Sequence, residues 1–176
     1  MQVKPDLGFG SLPDLTGTSG CAAYQFRRTS RAVARLYDAA LAPSGIRSTQ
    51  FAILTAIAKL QPISMSRVGE ILVIDAATMT RSLRLLEKDG LIEIAPRGAR
   101  RQRLLTLTLK AEKALAIAVP LWRDAQARFL SRLGGEWKEI RNKLEHAAKT
   151  AVSLETADTT RDTKDGEKAK SGSRHR

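Results

Sequence analysis

Between residues 21 and 153, apolar residues recur every three or four positions, which is the spacing typical of amphipathic helices. Proline or glycine interrupts this pattern at Pro43, Pro62, Gly90 and Gly134, where helices are expected to end. The chain is therefore predicted to be mainly α-helical. The predicted helices span residues 21–41 and 48–59, a short stretch from Ser64 or Ser66 to Leu72, and residues 76–88, 110–133 and 136–153.

Two of these helices begin with a residue suited to capping. Ser48 precedes one apolar run as a predicted N-cap, and Asp75 precedes the 76–88 helix, where its carboxylate can accept from free N–H groups. Pro120 predicts a kink within the 110–133 helix. The apolar positions expected to face inward in the third and fourth helices are Val68, Ile71, Leu72, Leu83 and Leu86.

After the 76–88 helix the pattern becomes extended. Residues 91–94 and 103–107 predict two strands joined by a turn at residues 95–98, and Ile63 is predicted to add a single strand rung. Two short helices with a tight turn between them, followed directly by a hairpin, make a winged helix-turn-helix. The expected fold is mainly α with a small β-hairpin wing, and the DNA-binding lobe covers about residues 46–108.

The two ends of the chain lack this periodicity. Residues 1–20 are rich in Gly, Pro, Ser and Thr and predict a flexible N-terminal arm. Residues 154–176 are polar and charged and predict a disordered tail. A single folded domain is therefore expected over residues 21–153.

Charge indicates the class of partner. The chain has 30 Lys and Arg against 18 Asp and Glu, a net charge of +12, which favours nucleic acid first and an anionic membrane surface second. One cysteine excludes an intrachain disulfide, and neither a signal peptide nor a membrane-spanning run is present, so a cytoplasmic protein is expected. The two histidines, the lack of a metal-ligand cluster and the lack of a Gly-rich phosphate loop argue against an enzyme, a metal site or a cofactor.

The 76–88 helix and the hairpin carry the candidate DNA contacts. A helix fits the major groove, which is about 12 Å wide, and Arg81 and Arg84 can pair with guanine or phosphate there. Thr78 and Thr80 can donate to phosphate or contact a thymine methyl. The candidate DNA-binding residues are Ser64, Ser66, Ala77, Thr78, Thr80, Arg81, Arg84, Arg97, Arg100 and Arg101.

Three segments resemble the MarR family of transcriptional regulators. Residues 75–93 (DAATMTRSLRLLEKDGLIE) resemble its recognition helix and first wing strand, 101–108 (RQRLLTLT) its returning wing strand, and 41–51 (LAPSGIRSTQF) its first inter-helix loop. The resemblance covers residues 21–153. It implies a winged helix-turn-helix plus a helical dimerisation region, formed by the first helix and the last two. It also implies a homodimer on a pseudo-palindromic operator, and repression relieved by a ligand or an oxidant.

Two positions depart from the family pattern. The wing position that usually holds an aspartate, two residues before Arg101, is Ala99, so one ion pair that orients the wing is missing. In the peroxide-sensing branch, the reactive cysteine aligns with Ala23, whereas Cys21 lies two residues earlier, about 200° around a helix. Cys21 is therefore either a bystander at a helix start or a redox sensor with geometry of its own.

Other interpretations remain open from the sequence. Tyr37, Phe51 and Trp122 either line a pocket for a small-molecule effector or belong to the core. The stripe formed by Trp137, Ile140 and Leu144 is predicted to lie in a dimer interface. The alternative to a DNA-binding regulator is a winged-helix module whose basic face binds an acidic protein.

Overall fold

The computed structural model describes residues 15–95 and 103–172. Within them, six α-helices and a small antiparallel sheet confirm the predicted mainly α fold with a wing. The helices are α1 (Ala22–Leu41), α2 (Ser48–Leu60), α3 (Met65–Leu72), α4 (Ala76–Lys88), α5 (Leu109–Leu133) and α6 (Trp137–Gly172). The strands are β1 (Ile63–Ser64), β2 (Ile92–Ile94) and β3 (Leu104–Leu107).

The sheet has the order β1-β3-β2, with β3 in the centre. Leu105 of β3 lies opposite Ile63 on one side and Ile94 on the other, and its side chain is fully buried. The strand predicted around Ile63 and the pairing of the two predicted wing strands are thus confirmed, whereas residues 96–98 of the predicted turn lie outside the described residues. The backbone N–H of Leu107 donates to the Gln61 Oε1 at 2.8 Å, which ties the end of β3 to the end of α2.

The core lies where α2, α3 and α4 meet the sheet and the first half of α5. Leu54 and Ile57 of α2 are completely enclosed, and full burial of each such side chain contributes about 1.5–3 kcal/mol. Leu83 and Leu86 of α4 are buried against the same cluster, as predicted. The core therefore fixes which face of α4 remains outside.

Two predicted details are wrong. The N-cap position of α2 is Arg47 and not Ser48, because the Ser48 N–H donates to the Asp38 Oδ1 of α1 at 2.7 Å. The Gln50 Oε1 accepts from the Arg47 N–H at 2.9 Å, so side chains outside the cap position satisfy this helix start. Ile71 is 42% exposed instead of facing inward, because α3 is only two turns long and Val68 occupies its inner face.

The last helix continues beyond its predicted end. The backbone of α6 is helical to Gly172, whereas the sequence predicts an end near Ser153 and a disordered tail from residue 154. Ala, Glu and Lys, which are strong helix formers, recur in this stretch, and no proline follows Pro120. Low hydrophobicity alone therefore does not predict the backbone conformation of the residues after Ser153. Most of the predicted N-terminal arm, residues 1–14, lies outside the described residues.

Candidate nucleic-acid interface

The turn between α3 and α4 sets the direction of α4. Val73, the C-cap of α3, has a left-handed conformation with φ 53° and ψ 49°. The Ile74 N–H donates to the Gly69 carbonyl oxygen at 2.9 Å. A Cβ at Gly69 would lie 3.0 Å from the Ile74 carbonyl oxygen, so the backbone passes very close at this glycine. The chain thereby reverses within a few residues.

Asp75 begins α4 as predicted. Its Oδ1 accepts from the Thr78 N–H at 2.8 Å. Hydrogen bonding with Thr78, through its side chain first and its backbone N–H second, holds the pKa of Asp75 below its usual range. The positive charge of Arg81 lowers the pKa further by a smaller amount. The carboxylate is therefore ionised at neutral pH and satisfies a free donor of the first turn.

The two faces of α4 differ sharply. Met79, like Leu83 and Leu86, is buried in the core, although its neighbours Thr78 and Thr80 are candidate DNA contacts. A methionine at this spacing continues the inner stripe of the helix. The outer face of α4 is formed by exposed residues, which are Ala77, Thr78, Arg81 and Arg84.

The side chains of the outer face have few partners within the protein. The Arg81 Nε lies 3.5 Å from the Ala77 carbonyl oxygen, a long contact. In the part of the chain that the structure describes, neither Arg81 nor Arg84 forms an ion pair. Their guanidinium groups are thus available to an outside acceptor, and Arg is suited to bidentate contacts with guanine or phosphate.

The threonine and serine candidates are less free. The Thr80 hydroxyl donates to the Ala76 carbonyl oxygen at 2.7 Å, so it has no proton left for phosphate while that bond persists. The Ser64 Oγ caps α3 by accepting from the Arg67 N–H at 3.2 Å, and it lies 3.1 Å from the Ser66 Oγ. Ser64 is thus the N-cap of α3, whereas a contact of Ser64 or Ser66 with DNA stays a prediction.

The wing is described only at its base. The Ala95 N–H donates to the Leu104 carbonyl oxygen at 2.9 Å, which closes the strand pair. Arg103 is exposed beside β3. The predicted contacts at the wing tip, Arg97, Arg100 and Arg101, lie outside the described residues.

A cavity of about 500 Å³ lies between α1, α2 and α5. The rings of Phe51 and Trp122 are stacked on its wall, with centroids 6.0 Å apart. The Tyr37 hydroxyl donates to the Gln126 Oε1, and burial raises the pKa of Tyr37. The structure therefore brings together the three aromatic residues singled out in the sequence. The lining residues are Tyr37, Leu41, Ser48, Phe51, Ala52, Thr55, Lys59, Val119, Trp122 and Arg123.

Sequence reasoning missed the polar part of this cavity. Lys59 and Arg123 both line it, and each sits on a different helix at a position with no periodic signal. Their meeting depends on how α2 packs against α5, which only the three-dimensional structure gives. Cys21 is exposed at the residue before α1, and its redox role stays a prediction. Over the described ranges, no cluster of His, Cys, Asp and Glu could hold a metal ion.

Comparison with known proteins decides the family. A sequence profile described as MarR family matches residues 44–102. The transcriptional regulator HosA of Escherichia coli O111:H- is 35% identical over 92 residues, which cover 52% of this chain and 68% of HosA. The crystal structure of the Mycobacterium tuberculosis regulator MosR in complex with DNA is 34% identical with a TM-score of 0.71, covering 76% of this chain and 98% of that one. The chain belongs to the MarR family.

Further MarR-family comparisons agree on the fold. A mutant of E. coli MarR in complex with operator DNA has a TM-score of 0.66 at 20% identity, covering 77% of this chain and 98% of that chain. The regulator YwoH of Bacillus subtilis matches over 90 residues at 28% identity, and the match spans 66% of its length. The matched profile, residues 44–102, runs from just before α2 into the wing. The chain is thus a MarR-family DNA-binding transcriptional regulator and not an enzyme.

Over residues 15–95 and 103–172, no helix combines the length and the apolar content needed to cross a membrane.

Proposed function

We propose that the chain is a cytoplasmic, homodimeric, sequence-specific regulator, acting as a repressor, that places one α4 in each half of a pseudo-palindromic operator. The observation that carries the proposal is the outer face of α4, where Arg81 and Arg84 are exposed and form no ion pair with a described residue. Met79, Leu83 and Leu86 are buried on the opposite face. The proposed contacts are Ala77, Thr78, Thr80, Arg81 and Arg84 of α4, Ser64 and Ser66 at α3, and Arg97, Arg100 and Arg101 of the wing.

The roles within this set differ by position. Arg81 and Arg84 would read bases in the major groove, and the wing arginines would hold the backbone beside it. Thr80 would contact DNA through its methyl group, because its hydroxyl already donates to the Ala76 carbonyl oxygen. Many phosphate contacts together predict that affinity falls steeply with salt.

The test begins with genome-wide footprinting of the purified protein, which supplies the operator. Arg81→Ala or Arg84→Ala should then cost about 1–3 kcal/mol on the operator and much less on a scrambled duplex, because a lost guanine pair removes sequence reading. Mobility shifts on both duplexes measure the two losses.

Arg132→Ala is the matched control. It removes an exposed arginine at the far end of α5, about 35 Å along the helix from the end of β3, so its operator affinity should stay unchanged. If the variant loses the same affinity for the operator as for the scrambled duplex, Arg81 or Arg84 contacts only the DNA phosphates and does not read bases. If no duplex binds and an acidic protein does, the chain is instead a protein-binding winged-helix module.

The homodimer is supported by apolar surface that the protomer leaves uncovered. Phe26 and Leu36 of α1 are 48% and 42% exposed, although they belong to its apolar side. On α6, Leu144 is 42% exposed, and no other helix or strand packs extensively against α6 among the described elements. A second copy of the chain would cover both surfaces, in keeping with the dimer that the family resemblance implies.

The cavity supports a second proposal, a small-molecule effector. Its volume of about 500 Å³ lies within the usual range of ligand pockets, about 300–1,000 Å³. Phe51 and Trp122 offer a flat apolar wall, and Lys59 and Arg123 offer positive charge. These features fit a small aromatic acid. Because α1, α2 and α5 all form the walls, an occupant would change how the DNA-binding lobe sits on the other helices.

Calorimetry with two probes of opposite charge tests this proposal. Benzoate should bind and benzylamine should not, because the cavity has cationic residues and no acidic residue among its lining residues. Ala52→Phe should abolish benzoate binding by filling the space, while Ala58→Phe, at an exposed position of α2 outside the lining, should leave it intact. Equal heats from both probes would contradict the assignment.

A further inference from the structure

Four arginines of α1 are not explained by operator binding or by the cavity. Arg27, Arg28, Arg31 and Arg35 recur at helical spacing and lie on one side of α1, and together they form the α1 arginine stripe. All four are exposed. The opposite side of the helix carries Val33, Tyr37 and Leu41, which pack towards α5 and the core. The stripe therefore points away from the body of the protomer.

The positive charge of the stripe is not neutralised within the protomer. None of the four guanidinium groups forms an ion pair with a residue that the structure describes. Asp38, the one acidic residue in the sequence of α1, is engaged by the Ser48 N–H. Like charges three or four residues apart repel one another along a helix. The stripe is thus a surface on which a bound anion would relieve repulsion.

The surface along the stripe is concave. A groove of about 380 Å³ runs along it, and its lining residues are Tyr24, Arg27, Arg28, Arg31, Ala32 and Arg35. Guanidinium groups bind phosphate oxygens through two parallel N–H donors. Eight residues of helix separate Arg27 from Arg35, a rise of about 12 Å, which matches three to four phosphates of one DNA strand.

The stripe is separate from the proposed operator surface. The main packing partners of α1 are α5 and α2, whereas α4 packs against α3 and β2. Since α2 packs against α3 and α3 against α4, two helix layers of about 8–10 Å each lie between α1 and α4. A straight duplex seated on α4 is therefore not placed to reach the groove on α1.

We propose that the α1 arginine stripe binds the phosphate backbone of a second duplex segment, so that one regulator dimer joins two stretches of DNA. A membrane is a poorer fit, because a helix that lies on a bilayer needs a free apolar face. Part of that face of α1 packs towards α5, and its exposed residues Phe26 and Leu36 are covered by the second copy in the proposed dimer. The contact has no sequence preference, since it involves phosphates alone.

A bridging assay tests the proposal. Full-length protein is mixed with an immobilised duplex and a fluorescent duplex, both of scrambled sequence, and the captured fluorescence is measured across salt concentrations. Capture should fall about 40-fold between 50 and 200 mM salt if each stripe neutralises three phosphates. The triple variant Arg28→Gln, Arg31→Gln, Arg35→Gln should lose about tenfold of the capture, and the salt dependence that remains should be that of the α4 and wing contacts alone.

The matched control is Arg128→Gln, Arg132→Gln, Lys149→Gln, which removes the same charge from exposed positions of α5 and α6 and should bridge like the original protein. Arg81→Ala with Arg84→Ala should lose operator binding but still bind a duplex through the stripe, which separates this proposal from the operator proposal. Equal bridging by both triple variants would overturn the inference. So would conversion of the stripe variant to a monomer, or binding to phosphatidylserine vesicles in place of DNA.

Discussion

At the scale of single residues, one carboxylate connects two helices. The Asp38 Oδ1 accepts the Ser48 N–H at 2.7 Å, so the last turns of α1 hold the start of α2. Hydrogen bonding with Ser48, through its side chain first and its backbone N–H second, holds the pKa of Asp38 below its usual range, and Arg47 lowers it further. Asp75 holds α4 in a comparable way through the Thr78 N–H.

Asp38→Asn should reduce stability at about pH 7 but not in acid. The folded-state pKa of Asp38 lies below its unfolded value of about 3.9, so its charge stabilises the fold above that value, and the stabilisation is lost as the pH falls through the folded pKa. Thermal melts of both proteins should therefore converge once the pH has fallen below the folded-state pKa of Asp38.

Glu93→Gln is the control for this comparison. It neutralises an exposed carboxylate on β2 that forms no ion pair within the described residues, and its melting temperature at about pH 7 should stay close to that of the original protein. If the melting temperatures of Asp38→Asn and the original protein differ equally at every pH, the charge of Asp38 does not hold α2.

Sequence reasoning found one of these carboxylates and missed the other. An N-cap such as Asp75 acts on a residue three positions away, so the local pattern is enough to predict it. Asp38 acts on Ser48 across the turn at Ala42–Ser44, and only the folded path of that turn brings the two together. For the same reason, Ser48 was assigned the wrong role.

At the scale of elements, the helix-turn-helix contains a strained position. Val73 is β-branched, has φ 53° and is 61% exposed. Its left-handed backbone therefore raises the free energy of the fold, and the little apolar surface that Val73 buries does not offset this. That conformation costs an L-residue about 1–2 kcal/mol. The turn between α3 and α4 thus keeps its geometry against the preference of its own residue.

Val73→Gly should therefore stabilise the protein by about 0.5–1 kcal/mol, the strain relieved less the extra entropy of glycine in the unfolded chain. Urea unfolding measures the change. Val73→Ala retains the Cβ that clashes in this conformation and should gain much less. A loss of stability in Val73→Gly would mean that the exposed valine contributes packing that outweighs the strain.

The sequence predicts the bounds of an element correctly where residues at its own ends determine them. The bounds of α4 were correct because Asp75 and Gly90 mark its two ends. The left-handed backbone at Val73 could not be predicted from the sequence, because valine favours an extended backbone. The sequence does not predict the end of α6, because two properties of the residues after Ser153 disagree. Their polarity indicates a disordered tail, whereas their helix propensity favours the helix that the structure shows.

At the scale of the whole molecule, the chain leaves apolar surface uncovered among its described residues. Apolar side chains on α1 and α6 are exposed, and α6 extends for 36 residues without extensive packing against another described element. The family and the helix order could be predicted from the sequence. The unpaired surfaces could not, because an amphipathic pattern does not say whether its partner is the same chain or another.

Leu144→Asp should weaken the homodimer by roughly a hundredfold or more, since two symmetry-related leucines would leave the interface and two charges would enter it. Light scattering over a dilution series measures the dissociation constant. His146→Asp is the control, because it adds the same charge on the opposite side of α6. An unchanged dimer in Leu144→Asp would place the interface elsewhere.

Because no other described element packs extensively against α6, the folding of this helix would depend on the concentration of the chain. A long polar helix in water is marginal, so most of the stability of α6 would come from association with a second chain. When few copies are present, unassociated chains would expose that segment to proteases, and scarcity would shorten the lifetime of the regulator. Above the association threshold, each new copy would protect another. The same helix would thereby give the amount of regulator in a cell a threshold response to its own synthesis rate.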